Sequence, residues 1–471
     1  MTHIFTDPVA GMRRFRAGIA AAIVLLVIAC CSFVALDYLQ GPKLSSATID
    51  GAKAVESSGQ QLRMFANQRL GKVTPAQVTI SPAAPFTVAA DGQTLAVTFT
   101  GRLHYDTDYR VTVRDVTGQG TGSVTRSTLS HGFHTPAARV MYLDRADPTV
   151  PGDGPDRILS TGLSGSGATT VYSATRIQSF ALFPQALAVV TVQDDGTDGL
   201  SFVSRDGRIT ESAVLPGPGT IDLLQSSPRS GFLGFTFTSA GPAADREFDR
   251  TLMTVDFAGK HIVSPVVGLD GAPLSVLGWT FLGDGSSIVA QSADQSVLVL
   301  DAAKPGTLTP LGVYQALGSS SPDGSSVVLA DSLSYLRYSI GDGTETRLEP
   351  PAVGGRPSFG GDIRLLPDGR RVQQVVVHDG TAADYVSYLV LAGPGGSVSI
   401  LFGSADYKGS FDGFSVSPNG QYAALTVIPD YGASVSDSYP VDARATSVTT
   451  LFIRISTGRV VRSVEGFDVS W

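Results

Sequence analysis

Cysteine is nearly absent. Of 471 residues only Cys30 and Cys31 are cysteine, and both fall inside one apolar run. No disulfide can therefore staple the folded part of the chain, a pattern that suits a bacterial envelope protein better than a eukaryotic ectodomain. Charge is sparse and its balance acidic, with a formal net charge of −8. No basic face exists outside the N-terminal residues to neutralise phosphates, which argues against nucleic acid as a partner. The short catalytic signatures are missing too. There is no Gly-x-Ser-x-Gly elbow and no Gly-rich segment with a following Lys to cradle phosphate. Ser164 and Ser166 read as a flexible connection between strands. The six histidines lack the companions that zinc demands. His261 and His378 read as isolated strand residues, while His104, His131 and His134 share a region without a third ligand nearby. No metal and no cofactor is expected.

What the chain does have is glycine, 53 residues of it, and a turn that recurs. Ser321-Pro322-Asp323-Gly324, Leu366-Pro367-Asp368-Gly369 and Ser417-Pro418-Asn419-Gly420 are the clear copies; Phe183-Pro184, Ser227-Pro228 and Gly283-Asp284-Gly285 are weaker. Pro presets φ for a tight reversal, and Asp-Gly or Asn-Gly accepts the positive φ of a hairpin corner. The copies lie about 40–55 residues apart, the length of one four-stranded propeller blade. Gly278–Leu282, Ser287–Gln291, Ser296–Asp301 and Thr307–Val313 illustrate such a blade.

Six turns give six innermost strands, yet three strands precede them: Arg139–Leu143, Arg157–Ser160 and Thr169–Ser173. Their missing partner is at the other end, where Gly466–Trp471 matches the innermost position of Phe411–Ser417. The C-terminal strand is thus expected to complete the first blade and close the ring without a free central edge. The count becomes seven blades, or six if the unit at Phe183-Pro184 or Ser227-Pro228 is degenerate. An aromatic residue followed by Pro-Asp-Gly and a β-branched strand resembles the TolB-type, WD-like propeller repeat. Only Trp279 and Trp471 fill the aromatic position as Trp, and three turns are altered.

Upstream, residues 1–16 carry Arg13, Arg14 and Arg16 just before the uncharged run Ala17–Leu36. Twenty such residues span about 30 Å as a helix, enough to cross a bilayer. The arginines place the N-terminus in the cytoplasm and the bulk of the chain outside the membrane. Two readings of the run stand. It is an uncleaved signal anchor, or Val27-Ile28-Ala29-Cys30 is a lipobox, which it resembles, with Cys30 lipidated; the apolar stretch Ser32–Leu36 departs from that pattern. Either way the chain is tethered to a membrane through helix or lipid.

Residues 43–136 show the alternation of half-buried strands in Gln61–Phe65, Gln77–Ile80, Leu95–Phe99 and Tyr109–Val113, as in a β-sandwich. Phe65–Gln68, Val78–Pro82, Leu103–Val113 and Gly132–Thr135 resemble the bacterial Ig-like domain of S-layer proteins. That resemblance implies a spacer or adhesion module without chemistry. Residues 138–471 form the propeller.

Candidate sites are few. Asp194-Asp195-Gly196-Thr197-Asp198-Gly199 approaches calcium-loop spacing but lacks the late Glu and reads as a turn. Two insertions, Ala240–Arg250 and Pro429–Thr446, lengthen the same hairpin of their blades, and the second offers Asp430, Tyr431, Asp437, Tyr439 and Asp442 as a binding loop. The function expected is a membrane-tethered binding or scaffold protein that presents its propeller to an envelope protein or a cell-wall polymer. The alternative is a hydrolase acting on a glycan or peptide with channel carboxylates Asp362, Asp412 and Asp468.

Overall fold

The computed structural model describes residues 8–39, 41–119, 125–147, 150, 154–165, 167–208, 210–257, 259, 261–332, 334–378, 385–404 and 409–471. Apart from an N-terminal helix, regular structure is almost all β, in two compact units, Met1–Pro136 and Ala137–Trp471.

The helix Pro8–Leu39 is unbroken, and its segment Phe15–Ser32 is long and apolar enough to cross a membrane. The rest of the first unit holds two antiparallel sheets. One has strand order Leu44–Thr48, Gln61–Ala66, Thr94–Phe99, Phe86–Asp91; the other, Val78–Ser81, Asp108–Val116, Ser127–His134. Alternate residues turn inward, so that Leu62, Met64, Leu95, Val97, Val111 and Val113 are fully buried. Phe99 of one sheet meets Phe133 of the other edge-on at 6.1 Å. The Leu103–Val113 run owes its shape to local bonds: the His104 N–H donates to the Tyr109 hydroxyl at 3.0 Å, and the Thr107 hydroxyl to the Tyr105 carbonyl at 2.7 Å. His131 and His134 stand three apart on one strand, so they occupy opposite faces and share no surface.

The second unit consists of seven four-stranded antiparallel sheets, the arrangement of a propeller. Their innermost strands are, in ring order, Phe467–Ser470, Ile177–Leu182, Gly219–Ser227, Val276–Phe281, Ala316–Ser320, Phe359–Leu365 and Ser410–Val416. In all but the first sheet the chain runs outward strand by strand. The first is mixed. Its innermost strand is the C-terminal one, which pairs antiparallel with Arg139–Asp144 through Phe467 opposite Leu143 and Ser470 opposite Met141. Trp471 then reaches the seventh sheet: its indole N–H donates to the Ser415 hydroxyl at 3.2 Å and its ring stacks on Tyr422. The core lies between neighbouring sheets, as where Ile221, Phe235 and Met253 of the third pack on Ala188, Val190 and Phe202 of the second.

The recurring turn joins innermost to second strand. In Ser321–Gly324 the Gly324 N–H donates to the Ser321 carbonyl at 2.9 Å, and Gly324 alone takes a positive φ, +71°. Asp323 acts through its side chain, accepting from Ser321 Oγ at 2.6 Å and from the Ser325 N–H at 3.1 Å. Asn419 does the same for Ser417 and Gln421. In Gly283-Asp284-Gly285 the positive φ falls on Gly283 instead. His261 is not in a strand; it lies in the connection after Thr251–Asp256, its ring against Phe202 and Phe257.

In a four-stranded meander the second-to-third loops and the links to the next sheet emerge on one face, where innermost strands begin. The turns just described lie on the other. Ala240–Arg250 and Pro429–Thr446 are both second-to-third loops and share the first face.

Candidate functional site

The insertion of the seventh sheet is folded rather than loose. Asp430 accepts from the Gly432 and Ala433 N–H groups at 3.1 and 3.3 Å, nucleating the short turn Tyr431–Ala433. Farther on, Asp437 and Arg444 zip the two arms together: the Asp437 N–H donates to the Arg444 carbonyl at 2.8 Å, and the Arg444 N–H to Asp437 Oδ1 at 3.0 Å.

Two of the five loop residues singled out in the sequence, Asp437 and Tyr439, are buried. Asp437 Oδ2 receives Arg145 Nη1 at 2.6 Å, with side chains 2% and 3% exposed. Arg145 comes from the first sheet and also donates Nε to the Ile177 carbonyl at 3.1 Å and Nη2 to the Gln178 carbonyl at 2.6 Å, on the second. Tyr439 lies under the Arg145 and Arg176 guanidinium groups, 3.7 and 4.4 Å from its ring centroid, and its hydroxyl donates to the Asp156 carboxylate. Burial, and then that hydrogen bond, push the Tyr439 phenol upward. These two residues clamp the seam between seventh, first and second sheets. Asp430, Tyr431 and Asp442 remain exposed.

Parts of the clamp recur at two other seams of the ring. Arg250 donates to the carbonyls of Val276 and Leu277 at 3.2 and 2.9 Å, as Arg145 does to those of Ile177 and Gln178. Asp198 accepts from the Ile221 N–H at 2.7 Å, as Asp156 accepts from that of Ile177 at 2.6 Å. Asp195, by contrast, holds only its own turn, accepting from Thr197 N at 2.9 Å and Oγ1 at 2.7 Å. The carboxylates of that segment diverge, and no group of three metal-binding side chains occurs among the described residues.

The channel carboxylates divide into two groups. Arg444 bridges Asp412 at 2.6 Å and Asp442 at 2.7 Å, and its charge also reaches Asp468. The enclosed position of Asp468 pushes its carboxyl up to about 6; Arg444 and the Phe180 N–H pull it down, and Asp442 opposes them. Asp468 lies on the innermost strand of the first sheet and is exposed, at a backbone position with φ of +55°. Asp362 belongs elsewhere, beside Arg364, whose guanidinium burial lowers and Asp362 partly restores. Arg444 and Arg145, which organise the site, carried no motif. Their only sequence signal was membership of connections between second and third strands.

At the seam opens a cleft of about 340 Å³, lined by Asp144, Asp147, Arg157, Asp437, Glu465 and Phe467 among others.

The likenesses to solved structures are loose. No family model matches the chain, and no curated protein does. Among solved structures it is similar to TolB from Acinetobacter baumannii at 14% identity, covering 84% of this chain and 82% of that one, with a TM-score of 0.37. A protein from Lactobacillus plantarum gives 14% identity, coverage of 71% and 98%, and a TM-score of 0.43. The β-propeller domain of Cps50 (Swd1) from Myceliophteria thermophila gives 10%, 62% and 86%, and 0.38. Superpositions this loose say nothing about what the chain binds or does.

Large apolar side chains are distributed unequally between the two faces. Phe359, Tyr385, Tyr431 and Val435, 64, 62, 67 and 50% exposed, all stand where innermost strands begin or second strands hand over to third. Leu269 and Leu277 are exposed on the same face. Among the described residues the connections of the opposite face expose Ile262.

Proposed function

We propose that this chain is a membrane-tethered, extracytoplasmic binding protein. Its TolB-type, seven-bladed propeller presents the face bearing Tyr431 to another envelope protein or to a cell-wall polymer, and an Ig-like sandwich serves as spacer. The observation that carries this reading is the gathering of exposed aromatic and aliphatic residues on one face, as at interaction surfaces. The apolar helix supports a membrane tether, and Arg13, Arg14 and Arg16 before it favour an anchor with a cytoplasmic N-terminus, lipidation of Cys30 being the other route to the same tether. Asp430, Tyr431 and Asp442 are the loop residues left to meet a ligand, while Asp437 and Tyr439 hold the loop in place.

Hydrolysis is the weaker reading, because Asp412 is held by Arg444 at 2.6 Å. Full-length protein in nanodiscs, assayed for capture of purified wall polymer and envelope proteins beside a glycosidase and peptidase panel, tests the choice. Capture lost in Tyr431→Ser supports the binding reading. Turnover that disappears in Asp412→Asn overturns it.

A further inference from the structure

The exposed apolar residues of the sixth and seventh sheets are accompanied by charge of one sign. Asp362 and Asp430 are exposed on the same two sheets as Phe359, Tyr385, Tyr431 and Val435, as is Asp442 with its Arg444 partner, and the seam cleft adds Asp147 and Glu465. Among the described residues the arginines around the seam are engaged: Arg145 is buried against Asp437, Arg176 lies over the Tyr439 ring, Arg444 lies between Asp412 and Asp442, and Arg157 pairs with Asp144 at 2.7 Å. Among the described residues, what faces solvent there is apolar surface with carboxylates in excess over cations.

From this, and resting on the binding-face reading above, we propose that the arc from the sixth sheet to the seam docks a basic polypeptide segment in which Lys or Arg residues are interleaved with apolar ones. The aromatic and aliphatic side chains take the partner's apolar groups. The carboxylates steer its cations, and the cleft, with Glu465 and Asp147 on its wall, receives one Lys or Arg side chain. An anionic membrane surface or an acidic glycan would be repelled from the same arc.

The probe is a short labelled peptide alternating Lys with Leu, with one control carrying Glu for Lys and another Ser for Leu. Each is titrated onto the full-length chain in nanodiscs of neutral lipid and followed by anisotropy. The Lys-Leu peptide is expected to bind saturably and to weaken steeply with salt, while neither control binds. Tyr431→Ser with Val435→Ser, and separately Asp147→Asn with Glu465→Gln, should each weaken it about tenfold, or about 1.4 kcal/mol. Unchanged thermal melts exclude misfolding of these surface variants.

Equal binding of the Glu peptide, or indifference to both double variants, overturns the inference, as does self-association through Tyr431 seen in sedimentation. Should an acidic peptide or a wall polymer bind and depend on Tyr431, the binding-face reading survives and this inference falls. If no probe responds to any variant, both fall.

Discussion

Arg145 and Asp437 are almost inaccessible to water, and each has the other as its compensating charge. Removing one leaves a buried ion without a partner, which costs about 3–5 kcal/mol. Arg145→Ala should therefore lower the stability of the second unit by that amount in urea unfolding, whereas Arg157→Ala, at a half-exposed pair, should cost under about 1 kcal/mol. Asp198 makes a different forecast. Burial raises its carboxyl to about 6 from 3.8, against the Ile221 N–H that lowers it, and Oδ1 has no hydrogen-bond partner. A raised acid binds its proton more tightly folded than unfolded. Its contribution is thus fully present below about pH 4 and lost as pH rises through about 6, in all about 3 kcal/mol for roughly two pH units. Asp198→Asn should flatten that part of the profile and raise stability at pH 7, as read from unfolding curves between pH 4 and 7. At this scale little was legible in advance. Asp437, Tyr439 and Asp442 drew attention as residues of a long loop, but nothing in their local sequence says that Arg145, from the far end of the unit, sits between them.

The last strand is the element on which the second unit depends. Its entry is prepared by Gly466, which has a φ of +126° and where a Cβ would lie 2.5 Å from the Leu143 carbonyl oxygen. Gly466→Val should disturb the pairing of Phe467 with Leu143 and cost more than about 2 kcal/mol through strain and clash. Thermal melting should show it, with faster proteolysis near Arg139 as a second readout. The strand itself was legible because the turn count left three strands without an innermost partner. The innermost strands also carry register shifts, for example between Asp222 and Gln225 and between Gly360 and Ile363. Those were not legible, since a bulge depends on the partner strand as much as on its own residues.

For the whole molecule, the apolar helix makes the prediction. The full chain should sediment with membranes and resist salt extraction, and a chain starting at Pro42 should remain in the soluble fraction. If Cys30→Ser abolishes membrane retention, the lipid carries the tether; if retention persists, the helix does.

Turn chemistry and apolar length are local properties, so the residues themselves determined the repeating hairpins, the strands next to them and the membrane-length run. Which distant segments meet was decided only by folding. The insertion of the seventh sheet turns back on the first two, dividing its residues into buried Asp437 and Tyr439 and exposed Tyr431, because a guanidinium and a carboxylate far apart in sequence offset each other's desolvation only once the ring brings them together.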